Sequence, residues 1–352
     1  MKKILLFIAL ILCVNASWAY DFSAVSPSGH TLYYKIESAG AVVTFPGSST
    51  SSCYSGFDRP TGAVTIPDSV LRDSTKYPVV GIGNNAFYAC TGLTQVTLPE
   101  SVTSVGAYAF YNCTGLINIS LPSRLTQLGN FVFTGCSSLQ KIVLPASLTA
   151  IPLQAFSSCS ALDSVAFPAG LTSIGEQAFF RCLSLDSVVL PNSLTTIGTK
   201  AFRNCTALVS VSFPNALVSI GNEAFYGCTS LASALLSDSL TAIGNSAFYG
   251  CTSLDTVSLG SSLTSIGNSA FYGCSALAGI VLPNTVSSLP SNAFRDCTSL
   301  TSVTLPNGLT TMGTEVFSRL QQFGPCGAAF NVDKRGRIRF LWLHGIGKRG
   351  IS

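Results

Sequence analysis

The sequence predicts a β-rich solenoid, a right-handed coil of 23-residue repeats with a parallel β-sheet and an amino-terminal β cap. Three observations carry that reading. Cysteines recur every 23 residues at Cys90, Cys113, Cys136, Cys159, Cys182, Cys205, Cys228, Cys251, Cys274 and Cys297. Phenylalanines keep the same step from Phe87 to Phe317, and leucines keep it from Leu93 to Leu300. Finally, the units share a short alternating apolar stretch that suits a strand. A fixed period of this length belongs to stacked repeats, in which one unit cannot bury its apolar side alone.

The roles within a unit follow from its residues. Leu254 to Ala276 reads LDTVSLGSSLTSIGNSAFYGCSA. Its Leu-x-x-Val-x-Leu opening ends in alternation, so Val257 and Leu259 point inward. Proline follows in most units, for example Pro99, Pro191 and Pro306, and ends the strand because it has no N–H to donate. Ser237 and Gly260 take that place in two units. A second extended stretch, such as Leu263 to Ile266, lines another side of the coil. Glycine comes next in most units, but Pro152 and Pro290 replace it. Proline holds φ near −65°, so this glycine is not expected to need a left-handed backbone. Ala-Phe then packs inward and Cys closes the corner.

The ends are different. Lys2 and Lys3 precede an 11-residue apolar run, Ile4 to Val14, and Ser17-Trp18-Ala19 fits a small-x-small cleavage site. Residues 1–19 therefore read as a secretory signal peptide, with the mature chain starting at Tyr20. The run is too short to span a bilayer, which needs about 20 residues. A lipid anchor at Cys13 is the weaker alternative, because Leu12 stands where a small residue is expected. No later segment looks like a membrane span.

Residues 20–79 read as the β cap and an irregular first repeat. Thr31–Ile36 and Ala41–Phe45 form a hairpin in this reading, Ser48 to Gly56 a serine-rich loop, and Gly62 to Pro67 the start of the first repeat. About nine residues are inserted before Gly83, since Pro67 and Pro99 are 32 apart. Residues 80–317 are the solenoid. Residues 318–352 are an atypical basic tail, with seven Lys/Arg against Asp333. A poorly packed or disordered end is expected there; an imperfect cap, or a tail docking on anionic membrane through Trp342, is the alternative.

Composition removes several functions. Of 352 residues, 47% are hydrophobic and only 10% charged, which argues against a highly charged disordered tail or a coiled coil. Net charge is +4, yet residues 80–317 carry six Lys/Arg against nine Asp/Glu, so nucleic acid is excluded as a partner. The chain shows no G-x-S-x-G elbow, phosphate-binding loop or H-E-x-x-H helix, and is read as non-enzymatic and without a cofactor. Its two histidines, His30 and His344, lie at opposite ends, which disfavours a metal site or a Ser-His-Asp constellation. LPNTV at Leu282–Val286 lacks the final glycine of a sorting motif and lies inside a repeat. Equivalent cysteines on successive turns would stand roughly 4.8 Å apart, but parallel side chains are poorly aimed for disulfides. A buried thiol ladder is expected, while Cys53 and Cys326 fall outside it and are left either free or paired.

The consensus Leu-x-x-Val-x-Leu-Pro-x-x-Leu-Thr-x-Ile-Gly-x-x-Ala-Phe-x-x-Cys resembles the BspA-type leucine-rich repeats of bacterial surface proteins, also abundant in some parasitic protists. The likeness covers residues 80–317, and the segments Tyr20–Val25 and His30–Ile36 resemble the leader of such proteins in Bacteroidales. It implies a leucine-rich-repeat solenoid that is exported, exposed at the cell surface, and used in adhesion to host proteins or other cells.

Solenoids usually bind through one variable position repeated over successive turns. The position after each core phenylalanine holds Tyr88, Tyr111, Phe180, Arg203, Tyr226, Tyr249, Tyr272 and Arg295, interrupted by Thr134 and Ser157. Tyrosine and arginine favour recognition because they offer large contact area with a polar handle. The competing reading is that the rings only cover the cysteine corner. A second column, from Gln95, Asn118 and Lys141 through Ser302, is small and polar and would admit a protein or glycan strand. Binding to a host or cell-surface protein is thus the expected function, with glycan binding as the alternative.

Overall fold

The computed structural model describes residues 19–47, 53–320, 330–332 and 337–340. The leader segment 1–18, part of the serine-rich loop, Cys326, Trp342 and His344 lie outside these residues. The described chain is built from short strands and turns, and it is the solenoid that the repeat predicts. No helix among the described residues is long and apolar enough to cross a membrane.

The amino-terminal cap is a three-stranded antiparallel meander of β1 (Phe22–Val25), β2 (Thr31–Glu37) and β3 (Gly40–Thr44). Its inner residues Leu32, Tyr34, Ala41 and Val43 are buried against the first turns. β4 (Gly62–Thr65) opens the first repeat by pairing in parallel with Leu93–Thr97. The inserted residues form a second hairpin, β5 (Ser69–Arg72) and β6 (Thr75–Ile82), turning through left-handed Asp73 and Ser74. β6 joins β3 in parallel and passes that sheet on to Ser104–Val105, so the cap and the repeats share one hydrogen-bonded sheet.

Each turn has three sides. The first carries a strand such as Thr256–Ser258, and the second a two-residue strand such as Ser265–Ile266, paired in parallel with its neighbour. The third side is made of turns. There Glu223 N, Phe225 N and Gly227 N donate to Asn245 O, Ala247 O and Tyr249 O of the next turn, each at 2.8 Å. Aiming alternate N–H groups along the stack requires two left-handed residues per turn. These are the second residue after the recurrent glycine (Glu223, φ 55°) and the residue before cysteine (Gly227, φ 68°). Glycine or asparagine is favoured there because αL costs an L residue roughly 1–2 kcal/mol, and the position before cysteine is often Gly or Asn. At the recurrent glycine itself φ is not left-handed. A Cβ on Gly244 would stand 2.5 Å from Asn222 N and from Gly221 C, so the close approach of adjacent turns explains this glycine.

Inside, the core phenylalanines form one continuous stack, with centroids 5.1 Å apart at Phe87–Phe110 and 5.6 Å at Phe294–Phe317. Alanine, phenylalanine, cysteine and leucine of each turn are fully buried through most of the solenoid. Polar side chains close what the backbone leaves open. Thr264 Oγ1 donates to Thr241 O at 3.1 Å, and Thr241 Oγ1 to Val218 O at 3.2 Å. Asn222 and Asn245 each accept, through Oδ1, a backbone N–H of the next turn at 2.8 Å.

At the other end, strands Phe330–Val332 and Arg337–Phe340 pair antiparallel, and the second lies antiparallel to Ser302–Thr304. Regular pairing therefore extends into the basic segment for which the sequence predicts a poorly packed or disordered end. The backbone of the last repeat strand is a ready template for this, since an unpaired edge seeks a partner.

Candidate interaction surface

The position after each core phenylalanine lies on the turn side of the coil, and its side chains are half-buried rather than free-standing. Two groups form along it. Near the cap, Tyr88 and Tyr111 stack at 5.0 Å. Thr134 and Ser157 then break the column with buried hydroxyls, and Phe180 follows them. Beyond Phe180 the column becomes one uninterrupted array. The Arg203 guanidinium lies 4.3 Å from the Tyr226 ring centroid; Tyr226 stacks on Tyr249 at 4.6 Å, and Tyr249 on Tyr272 at 4.5 Å. Arg295 closes the far end, 5.7 Å from Tyr272.

The charges on this array are largely answered from within. Arg203 pairs with Glu223, which also meets Lys200 at 3.8 Å. Arg295 pairs with Glu315 and stands 3.8 Å from Asp296. Burial nevertheless leaves Nε of both arginines without a hydrogen-bond partner. Tyr272 hydrogen-bonds the Asp296 carboxylate, which raises its pKa, with desolvation adding to the shift. Stacking and ion pairs thus tie the array together, and its tyrosines are half-buried rather than sealed.

Tyr108 and Phe131 were not part of the expected column. They stack at 4.6 Å, and Tyr108 contacts Tyr111 at 5.6 Å, widening the aromatic patch near the cap. Both occupy the left-handed position, at φ 57° and 61°, where bulky residues are rare. The signal in the sequence is their own spacing of 23.

Beneath this surface runs the cysteine column. All ten repeat cysteines carry free thiols and are fully buried. From Cys113 onward each Sγ–H donates to the carbonyl of the phenylalanine 26 residues earlier, at 3.0 Å for Cys113–Phe87 and 3.1 Å for Cys228–Phe202. Cys90, in the first full turn, hydrogen-bonds Tyr54 instead, whose hydroxyl donates to Ala86 O at 2.6 Å. Desolvation pushes these thiols up, to about 12 at Cys159 and Cys205. No group of three or more His, Cys, Asp or Glu among the described residues is placed to hold a metal ion. Thiol-directed alkylation of the native protein should leave the repeat cysteines unmodified and label them after denaturation. Rapid labelling of most of them in the native state would contradict this packing.

The strand side is built differently. Its outward positions hold Gln95, Asn118 and Lys141 near the cap and small residues further on, ending at Ser302. The three long side chains flank a shallow depression of about 560 Å³ that also reaches Leu121 and Val143.

Comparison with known proteins agrees with this architecture. The family described as BspA type Leucine rich repeat region matches in six copies over residues 80–209 and 195–323. A leucine-rich repeat protein from Bacteroides ovatus is 27% identical over 84% of this chain and 91% of its own, with a TM-score of 0.45. A leucine rich cell surface protein from Faecalibacterium prausnitzii is 24% identical over 84% of this chain and 95% of its own, TM-score 0.45. The pneumococcal vaccine antigen PcpA is 22% identical over 84% of this chain and 85% of its own, with a TM-score of 0.55, and shares the fold. No curated protein matches the chain. With the matched repeats covering well over half of its length, the chain belongs to the BspA-type leucine-rich repeat family.

Proposed function

We propose that this protein is an exported, non-enzymatic binding scaffold that attaches to a host or cell-surface protein through the turn side of its solenoid. The observation that carries the reading is the array from Arg203 through Tyr226, Tyr249 and Tyr272 to Arg295. It presents a row of tyrosine edges capped by arginines, on a backbone that stacking holds in place. Rigid aromatic anchors lose little conformational entropy on binding, which is why Tyr and Arg dominate interface energetics. Membership of a family of bacterial surface proteins supports the export that the leader segment 1–19 suggests.

Replacing Tyr226, Tyr249 and Tyr272 together by serine tests it. The screen uses the purified protein against immobilised matrix proteins and a glycan array. The expected result is a saturable protein response that falls more than tenfold in the triple variant, because losing a hot spot costs about 2 kcal/mol or more. The melting temperature should fall only modestly, since stacked pairs add about 0.5–1.5 kcal/mol each. Unchanged binding would remove the array from the interface, and a glycan-only response would reassign the ligand class.

A further inference from the structure

The strand side carries a pattern that neither the cysteine register nor the aromatic column explains. Its second outward column alternates large apolar and small residues from turn to turn. Val143, Val189, Leu235 and Val281 are 69%, 75%, 58% and 66% exposed, and are separated by Ala166, Ser212 and Ser258, with Thr304 beyond. The interior follows the same two-turn rhythm. Leu144, Leu190, Leu236 and Leu282 are buried, whereas Phe167, Phe213, Leu259 and Leu305 in the intervening turns are only partly so. From Lys141 to Ser258 the strands themselves bridge in twos, Lys141–Val143 with Ser164–Ala166, Ser187–Val189 with Ser210–Ser212, and Ser233–Leu235 with Thr256–Ser258. The true structural period on this face is therefore two turns, or roughly 9.6 Å at 4.8 Å per strand.

We propose that this face is a self-association surface on which two copies pack sheet against sheet with their solenoid axes antiparallel. A row of knobs and gaps at this period needs a partner with the same period, and a second copy supplies it. With a two-fold axis running parallel to the strands, each outward column faces its own counterpart in reversed order. Placing the axis between the strands of Val189 and Ser212 sets every large residue opposite a small one. Val143 meets Ser258, Leu235 meets Ala166, Val281 meets Ser120, and Val189 meets Ser212. The polar column fits the same register, since Gln95, Asn118 and Lys141 fall opposite Ser302, Gly279 and Thr256. Lys141 is the one charged residue in the two columns, and this arrangement keeps it away from its own copy. Sheets packed face to face lie about 10 Å apart, which residues of these sizes fill.

The overlap includes the ten strands from Leu93–Thr97 to Ser302–Thr304 but is only one strand wide. The pair is therefore a concentration-dependent equilibrium rather than an obligate dimer. It leaves the aromatic array of each copy on another side of the coil, so a dimer would present two arrays and gain avidity. The inference does not depend on what those arrays bind.

Sedimentation velocity of the full mature chain over a wide concentration range tests the proposal. The expected result is a reversible monomer–dimer equilibrium whose dissociation constant rises at least tenfold in Leu235→Glu and likewise in Ala166→Lys. Both sites are outward on the strand face, and circular dichroism melting checks that each variant still folds. The double variant L235E/A166K restores association to within a few-fold, now weakened by salt, because the register sets each introduced charge opposite its complement. A chain that stays monomeric at all concentrations overturns the proposal and leaves the face to a foreign partner. A dimer indifferent to the single variants overturns the surface. Failure of the double variant to recover overturns the register.

Discussion

At pH 10 the solenoid should unfold cooperatively, and the thiolate absorbance of its cysteines should appear in the same transition. The cause is the buried thiol column. In the folded chain desolvation raises the repeat thiols, to about 12 at Cys90, Cys159, Cys205 and Cys297 against an ordinary value of 9.0. The folded state thus holds protons that the unfolded state releases. Thiol burial stabilises fully below pH 9, and that stabilisation is withdrawn as the pH climbs from 9 toward 12. One pH unit above 9, each exposed thiol favours the unfolded chain by about 1.4 kcal/mol. All ten repeat thiols are shifted in this direction by burial, so the alkaline destabilisation accumulates along the whole column. Burial of Tyr34 and Tyr54 acts in the same direction at still higher pH. Circular dichroism and ultraviolet absorbance followed together through an alkaline titration decide the matter. Thiolates forming near pH 9 while the fold persists would show that the cysteines are not sealed inside.

The second large effect is expected from Phe225→Ala. Phe225 stacks on Phe202 and on Phe248 at 5.3 Å each and receives the edge of Phe213 at 5.5 Å. Truncation removes a fully buried ring and leaves a cavity, which costs about 3–5 kcal/mol. In a stack where each repeat touches only its neighbours, such a defect does more than lower stability. It uncouples the turns on either side. Urea unfolding should shift to lower midpoint and divide into two phases, one for each flanking segment. Phe317→Ala is the contrast, because that ring is only partly buried and stacks on the end of the column at 5.6 Å from Phe294. A single-phase transition for Phe225→Ala, shifted no more than that of Phe317→Ala, would show that cooperativity does not pass through the rings.

The candidate surface was less legible than the fold. The spacing of 23 is enough to align Tyr226 with Tyr249 and Tyr272, because translation along a stack brings equivalent residues together. It does not say whether the rings lie flat on one another, nor that Glu223 and Glu315 pair with the flanking arginines. Those ion pairs join different positions of adjacent turns. Pro152 and Pro290 in the glycine column are enough to show that this position is not left-handed, yet the purpose of the glycine, room for the neighbouring backbone, needs the distance between turns. Of the two left-handed positions, the one before cysteine carries a sequence signal in its Gly and Asn, whereas the other does not, because Glu223 and Lys200 are not residue types that announce αL. Their conformation is imposed by the need to aim alternate N–H groups along the stack.

Repetition is a one-dimensional property, and the sequence alone was sufficient for whatever repetition dictates. It determined the period, the inward Phe, Leu and Cys positions, the strand that precedes proline, and the class of fold that follows when units must bury each other's apolar sides. Tertiary structure decided what depends on distances between turns. It closed the inserted residues as the β5–β6 hairpin, gave each repeat thiol from Cys113 to Cys297 a carbonyl to donate to, and extended pairing past the last repeat strand. It also doubled the period on the strand face, where Val143 and Val189 stand exposed two turns apart. A 23-residue register treats all turns as equal; their packing against one another does not.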